Sequence, residues 1–323
     1  MINYRNVPAL NRDVWAWLQK LPKDIELIVG IPRSGLLVAN LLSLYMDIPL
    51  TDVDGLLEGR VIQTGPRYKR NDPRGLLSSR RTVLVVDDSV WSGKQMAAVK
   101  RMVESAELRH RILYGAVYVK PGSQDVVDYF FEMLQTPRFF EWNVFHRGGM
   151  EGFCVDIDGV LCRDPTPEEN DDGERYKRFI RTVEPWIIPS KTVGWLVTCR
   201  LEKYRSLTEE WLAEHGFKYQ HLIMMDLPDK AARLRSQSHA KYKAQVYKTT
   251  GARFFIESSQ RQAMEIAIRT GKDVLCMETG NIVSPSFLNR NYHGLLRFGR
   301  LFLEHPKEAL RILRRRFYLS TKI

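Results

Sequence analysis

Val83-Leu-Val-Val-Asp87-Asp88-Ser-Val-Trp91-Ser-Gly93 is an apolar run that ends in two carboxylates and then turns at a glycine. The spacing predicts a strand over Thr82–Val86 and a helix over 94–106. Downstream, Ile112–Val119 reads as another strand. Upstream, residues 11–20 read as a helix, Leu27-Ile-Val-Gly-Ile31 as a short strand and Leu36 to Tyr45 as a helix. Strands that alternate with helices predict an α/β fold with a parallel sheet covered on its faces. Ligands of such sheets collect at the carboxyl ends of the strands. Residues 55–81, rich in Gly, Pro, Arg and Lys, show little periodicity and are expected to form a long loop.

A second acidic run, Phe153-Cys-Val-Asp156-Ile-Asp158-Gly-Val-Leu161, opens another alternating series. Its strands are expected at Phe153–Ile157, Gly194–Thr198, His221–Met225, Ala252–Ile256 and Asp273–Met277, with helices at 203–215, 240–249 and 260–270. The Gly148-Gly149 pair marks the expected boundary, and Pro285 closes the series. The expected domains are 1–148, 149–285 and a tail, 286–323.

The chain has 323 residues, enough for two cores. Its formal charge of +11 favours anionic partners. The charge is uneven: from Arg290 to Ile323, nine Lys/Arg face two acids, which leaves +7 of the total in the tail. Four cysteines, none in a CxxC pair, point to reduced thiols of a cytoplasmic protein rather than a disulfide or zinc framework. The N-terminus lacks the apolar run of a signal peptide, and no stretch approaches the ~20 apolar residues of a membrane span.

Adjacent carboxylates at Asp87 and Asp88 can accept hydrogen bonds from vicinal hydroxyls. The following turn and helix start, Ser89-Val90-Trp91-Ser92-Gly93-Lys94, can hold a phosphate monoester. The loop Gly30-Ile-Pro32-Arg33-Ser34-Gly35 can wrap a pyrophosphate. Arg60, Arg67, Lys69, Arg70 and Arg74 lie on the basic segment that could close over it. Taken singly, each of these is as ordinary as a cap, a tight turn or a solvated loop. In this order they resemble the type I phosphoribosyltransferases over about residues 20–120. The resemblance implies that Asp87 and Asp88 bind the ribose hydroxyls of 5-phosphoribosyl diphosphate (PRPP), Ser89–Gln95 its 5-phosphate and Gly30–Gly35 its pyrophosphate. It also implies Mg2+ and displacement of pyrophosphate from ribose C1. Trp91 and Lys94 depart from the family pattern, and no nucleobase pocket is readable.

In the second run, Asp156 is placed to attack phosphorus and Asp158 to protonate the leaving oxygen. Such chemistry calls for a hydroxyl, a lysine and a further acid downstream, and Thr198, Lys243 and Glu257 are available. Lys241 and Lys248 are rivals for the lysine. This ordered set resembles the haloacid-dehalogenase (HAD) superfamily over about residues 152–280. The resemblance implies Asp156 as nucleophile, Asp158 as acid/base, Thr198 and Lys243 as phosphate binders, and Asp156, Asp158 and Glu257 around Mg2+. The expected architecture is therefore two Rossmann-like parallel-sheet domains, type I phosphoribosyltransferase-like and then HAD-like.

The tail reads as two basic amphipathic helices, the second opened by Pro306. It is either an interfacial anchor for anionic membrane, through residues 290–322, or a hairpin packed on the second domain. Nucleic-acid binding is not expected, because no recognition motif accompanies the charge. The combination resembles the dual-module ribofuranosyltransferases of bacterial surface-polysaccharide synthesis. These imply transfer of phosphoribose from PRPP to a glycan on a lipid carrier at the cytoplasmic membrane face, followed by loss of the 5-phosphate. The alternatives are an enzyme making a nucleoside-like metabolite and a PRPP-binding regulator.

Overall fold

A computed structural model describes residues 2–62, 80–235 and 239–285. Arg67, Lys69, Arg70, Arg74 and the whole tail lie outside the described residues. The chain divides into two compact units, Met1–Val144 and Phe145–Ile323.

In the first unit the elements run β1 (Asn3–Arg5), α1 (Val7–Trp17), β2 (Leu27–Gly30), α2 (Ser34–Met46), β3 (Leu50–Asp52), α3 (Val53–Leu57), β4 (Thr82–Val90), α4 (Lys94–Ser105), β5 (Arg111–Val119), β6 (Tyr129–Met133) and β7 (Arg138–Phe140). Five strands form one parallel sheet in the order β3-β2-β4-β5-β6, and β1 pairs with β7. The strands are buried on both sides. Leu27, Val29, Val83 and Val85 face one apolar cluster with Met96, Val99 and Val103 of α4. Ile28, Leu84 and Val86 face the other, with Leu10, Val14 and Trp17 of α1 and Val38 and Leu42 of α2. This two-sided burial is why β2 and β4 read as continuous apolar runs.

Several boundaries differ from expectation for local reasons. Helix α1 starts at Val7, not residue 11, because Asn6 accepts a hydrogen bond from the Ala9 amide and Pro8 suits a first turn. The expected loop over 55–81 begins with α3, which Asp52 caps by accepting from Gly55 N. Strand β4 does not stop at Val86. It continues through the acidic pair because β5 keeps pairing with it to Val90↔Val119.

The second unit comprises β8 (Phe153–Val155), α5 (Glu174–Thr182), β9 (Val193–Leu201), α6 (Arg205–Glu214), β10 (Tyr219–Met225), α7 (Lys230–Arg235), α8 (His239–Thr249), β11 (Phe254–Glu257), α9 (Gln260–Thr270), β12 (Val274–Cys276) and β13 (Asn281–Val283). Its sheet has the order β10-β9-β8-β11-β12-β13 and is parallel except for β13. Helices α8 and α9 cover one face through Ala240, Ala244, Tyr247, Ala263, Ile266 and Ala267. Among the described residues no helix is long and apolar enough to cross a membrane. All four cysteines are free.

In each sheet the strand order reverses once beside a central strand. The chain passes from β2 out to β3 and returns to the other side of β2 as β4. It passes from β8 through β9 to β10 and returns beside β8 as β11. A crevice opens at the carboxyl ends where such a reversal occurs. Both acidic runs end at these crevices.

Candidate functional site

The first crevice is lined by the turn after β2 and by the end of β4. Their register sets Gly30 beside Val86, so the Pro32–Gly35 turn lies next to Asp87 and Asp88. The Pro32–Arg33 peptide is cis. Gly35 sits tight against the acidic strand: a Cβ there would lie 2.6 Å from Val86 O and 3.1 Å from Asp87 Cα. Pro32 and Arg33 are exposed, and Ser34 is half-buried.

Both carboxylates are buried. Asp88 is gripped from two elements. Ser34 Oγ donates to Oδ1 at 2.8 Å and the Trp142 indole N–H to Oδ2 at 2.7 Å. Asp87 Oδ1 accepts from the Asp88 amide at 2.8 Å. Burial, reinforced by the Asp88 charge, pushes the Asp87 carboxyl up to about 8. A cation beside this pair would favour the ionised form, so Asp87 and Asp88 fit a Mg2+ that arrives with pyrophosphate.

Beyond the pair, Ser89 is half-buried, Val90 and Gly93 are buried, and Trp91, Ser92 and Lys94 are exposed. Gly93 has φ +75°, and no side chain caps α4. The first-turn amides of α4 therefore remain as donors for an anion. Gln95 Nε2 donates to Pro32 O at 3.3 Å, joining α4 to the turn after β2. Trp91 is half exposed, with Lys120 Nζ 5.1 Å and Arg138 Cζ 5.3 Å from its ring centroid. Sequence reasoning missed Trp142 and Lys120. Trp142 carries no local signal, because it reaches Asp88 from 54 residues away.

In the second crevice, Asp156 follows β8 and Glu257 ends β11, on neighbouring strands. Lys243 joins them: its ammonium lies 2.7 Å from Asp156 Oδ2 and 2.8 Å from Glu257 Oε2, all buried. Lys241 and Lys248 are exposed. Two and five residues away from Lys243 they point off the inner helix face, so of the three lysines it is Lys243 that reaches Asp156 and Glu257. Burial alone would lower the Lys243 pKa, but the two carboxylates outweigh it and hold the ammonium charged. Burial pushes the Asp156 carboxyl upward against the pull of Lys243.

A polar cavity of about 110 Å3 opens here, lined in part by Asp156, Asp158, Asp164, Arg233, His239 and Lys243. Three expected roles meet a different placement. Asp158 is turned to Arg200, whose Nη2 is 2.6 Å from Oδ1 and whose Nε is 3.1 Å from both oxygens. Thr198 is wholly buried, because β9 runs past it to Leu201; its Oγ1 accepts from Arg200 N at 3.1 Å, and Cys199 lines the cavity instead. Glu257 lies beneath the cavity, committed to Lys243, Ser258 and Ser259. Asp156, Asp158 and Glu257 are thus not gathered as a ligand set. Among the described residues no group of three or more His, Cys, Asp or Glu is disposed to hold a metal ion. Sequence reasoning also missed Asp164, Arg200, Arg233 and His239. Burial, then the Asp158 charge, raises Asp164. Burial, then Arg233 and Lys243, lowers His239.

Comparison with known proteins bears on the first unit. The phosphoribosyl transferase domain family matches residues 3–149. A xanthine-guanine phosphoribosyltransferase of Cereibacter sphaeroides is 31% identical over 120 residues, covering 36% of this chain and 68% of that protein. Among solved structures, a purine phosphoribosyltransferase of Pyrococcus horikoshii is 26% identical, with a TM-score of 0.33 over 44% of this chain and 93% of that one. A Helicobacter pylori xanthine-guanine-hypoxanthine phosphoribosyltransferase is 17% identical, with a TM-score of 0.34 over 45% and 95%. The first unit is a type I phosphoribosyltransferase domain, an α/β enzyme domain that uses PRPP. The chain belongs to the phosphoribosyltransferase family through these residues.

Proposed function

We propose that the chain transfers 5-phosphoribose from PRPP to a sugar hydroxyl of a glycan and then hydrolyses the 5-phosphate, leaving ribofuranose on the acceptor. The observation that carries the second half is the Asp156–Lys243 pair in a polar cavity, on the same polypeptide as a phosphoribosyltransferase domain. A nucleotide-salvage enzyme would have no use for a phosphatase that destroys its product.

In the first step Asp87 and Asp88 hold the ribose hydroxyls. Ser89–Gln95 and the start of α4 hold the 5-phosphate, and Pro32, Arg33, Ser34 and Gly35 hold the pyrophosphate. Arg67 and Lys69 are proposed to add charge against the leaving group. The bond from the acceptor oxygen to C1 forms as the C1–pyrophosphate bond breaks, and the hydroxyl proton passes to the departing pyrophosphate or to solvent. Mg2+ would neutralise the departing pyrophosphate. Catalysis here is positioning and charge stabilisation.

In the second step an Asp156 oxygen bonds to phosphorus and the ester oxygen departs with a proton. Water then cleaves the acyl phosphate and restores Asp156. Asp158 is the proposed proton donor, which requires it to release one oxygen from Arg200. Lys243 holds Asp156, and Thr198 supports the site from beneath by accepting the Arg200 amide. A Mg2+ ligand set is not formed by these side chains as they stand. The acceptor is proposed to be lipid-linked, in bacterial O-antigen or capsule synthesis, with the basic tail beside an anionic membrane at its cytoplasmic face.

A second reading is favoured by the Cereibacter relative, whose name specifies xanthine and guanine: a purine acceptor would make the product a nucleotide. Incubation with PRPP and either a defined oligosaccharide or free purines separates the readings by mass spectrometry. The glycan reading expects a gain of ribose with the intact chain and of phosphoribose with Asp156→Asn. Nucleotide formation with no glycan adduct overturns it.

A further inference from the structure

Trp91 departs from the phosphoribosyltransferase pattern, and the proposed transfer gives its side chain no task. The turn proposed to hold the 5-phosphate works through amides, yet it carries an indole that is 50% exposed. The backbone around that indole is pinned. Val90 O accepts from Arg138 Nη2 at 2.6 Å and from the Lys120 amide at 3.0 Å, and Trp91 O accepts from Ser123 Oγ at 2.9 Å. Gly93 packs so closely on Val126 that a Cβ would lie 2.7 Å from Val126 Cγ2. The ring itself is held as well. Arg138 is buried and lies over both the Trp91 and the Phe140 rings, 5.3 and 5.6 Å from their centroids, so it backs the indole from the protein side. Lys120 Nζ meets the ring at 5.1 Å on a half-buried, flexible stem. A large aromatic surface that is fixed in place and half in water is a preorganised platform for a ligand ring.

The sheet order tells which ligand meets it. The pyrophosphate turn follows β2, the ribose carboxylates end β4, and the order is β3-β2-β4-β5-β6. Displacement at C1 brings the incoming oxygen in opposite the departing one. With pyrophosphate on the β2 side of β4, the acceptor enters on the β5 side. Lys120 directly follows β5, whose pairing with β4 runs to Val90↔Val119, so Lys120 and the Trp91 ring it meets stand on that side. The C–H face of a sugar ring carries partial positive charge, which the negative face of an indole attracts as it attracts a cation. The Lys120 ammonium beside it supplies donors for sugar oxygens.

We propose that Trp91 recognises the acceptor of the transferase site: the acceptor sugar stacks its C–H face on the indole, with Lys120 at its edge. The assignment rests on the glycan reading, and its test lets the two fail separately. The full chain is given PRPP with oligosaccharides ending in glucose, galactose or N-acetylglucosamine, or with xanthine and guanine. Trp91→Ala should raise the KM for the glycan acceptor at least about 10-fold, and the KM for PRPP by less, because the turn keeps its amides. Trp91→Phe keeps a ring and should recover part of the loss. A merely structural role would raise both constants together or only lower the melting temperature, and either result in a folded Trp91→Ala protein overturns the assignment. Fluorine NMR on the intact chain labelled with 5-fluorotryptophan decides even where Trp91→Ala does not fold. The Trp91 resonance is the one absent from Trp91→Phe. The glycan acceptor should shift it in the presence of PRPP, and no shift overturns the assignment. Purine transfer that depends on Trp91, with no glycan adduct, sinks the glycan reading and keeps Trp91 as the residue that meets the acceptor. Glycan transfer that is insensitive to Trp91 does the reverse.

Discussion

Asp88 is a carboxylate held by side chains from two distant segments, and that grip has a measurable consequence. Trp142→Phe keeps an aromatic ring stacked on Phe140, now 5.0 Å away, and removes only the N–H that meets Asp88. A hydrogen bond to a charged group contributes roughly 1.5–3 kcal/mol. Loss of it should raise the KM for PRPP about 10-fold or more, with the melting temperature little changed; steady-state kinetics on the purified variant checks this. Asp87 supplies a pH test. Its folded pKa, about 8, lies above its ordinary 3.8. Between these values the folded state binds more protons than the unfolded, so stability falls as pH rises through this window. Asp87→Asn removes the titration and keeps an oxygen for the Asp88 amide. Melting curves should show the variant gaining on the native chain from pH 5 to pH 8, and equal slopes would refute the burial argument. Asp87 and Asp88 were legible in the sequence. Trp142 was not, because a hydrogen bond across 54 residues leaves no spacing to read.

At the scale of elements, apolar runs were readable and polar ends were not. Strands β2, β4 and β9 announce themselves because both faces of a parallel sheet are buried. The continuation of β4 through Asp87-Asp88 and of β9 through Thr198 was hidden, since pairing with β5 and β10 overrides the polar residues. That extension is what buries Thr198. Two substitutions test how elements meet. Gly35→Ala sets a Cβ 2.6 Å from Val86 O, so α2 must shift away from β4. Overpacking of this kind costs about 1–3 kcal/mol, visible in urea unfolding, and PRPP affinity should fall with it. Lys243→Met leaves Asp156 and Glu257 facing each other without their shared cation. Removing one partner of a buried ion pair costs about 3–5 kcal/mol. The same substitution at exposed Lys241 or Lys248 should cost roughly 0.5 kcal/mol or less.

For the whole molecule, the two sites draw on different sequence. Every described residue of the first crevice lies within Met1–Val144, and every residue of the second within Phe145–Ile323. Each crevice sits where its own sheet reverses strand order, so each needs only its own sheet to form. The chain order, phosphoribosyltransferase unit before the unit proposed as a phosphatase, matches the proposed order of reaction, but nothing in either crevice requires that one polypeptide perform both steps on one acceptor. This independence yields a test. Asp88→Asn should abolish pyrophosphate release and leave hydrolysis of ribose 5-phosphate intact. Asp156→Asn should release pyrophosphate and stop at the phosphoribosylated glycan. If each site works alone on a product that can leave, mixing the two variants should regenerate the ribosylated glycan, read as a mass lower by one phosphoryl group. If the mixture stalls at the phosphorylated species while the intact chain does not, the product is handed on within one molecule, and the two crevices act as one enzyme.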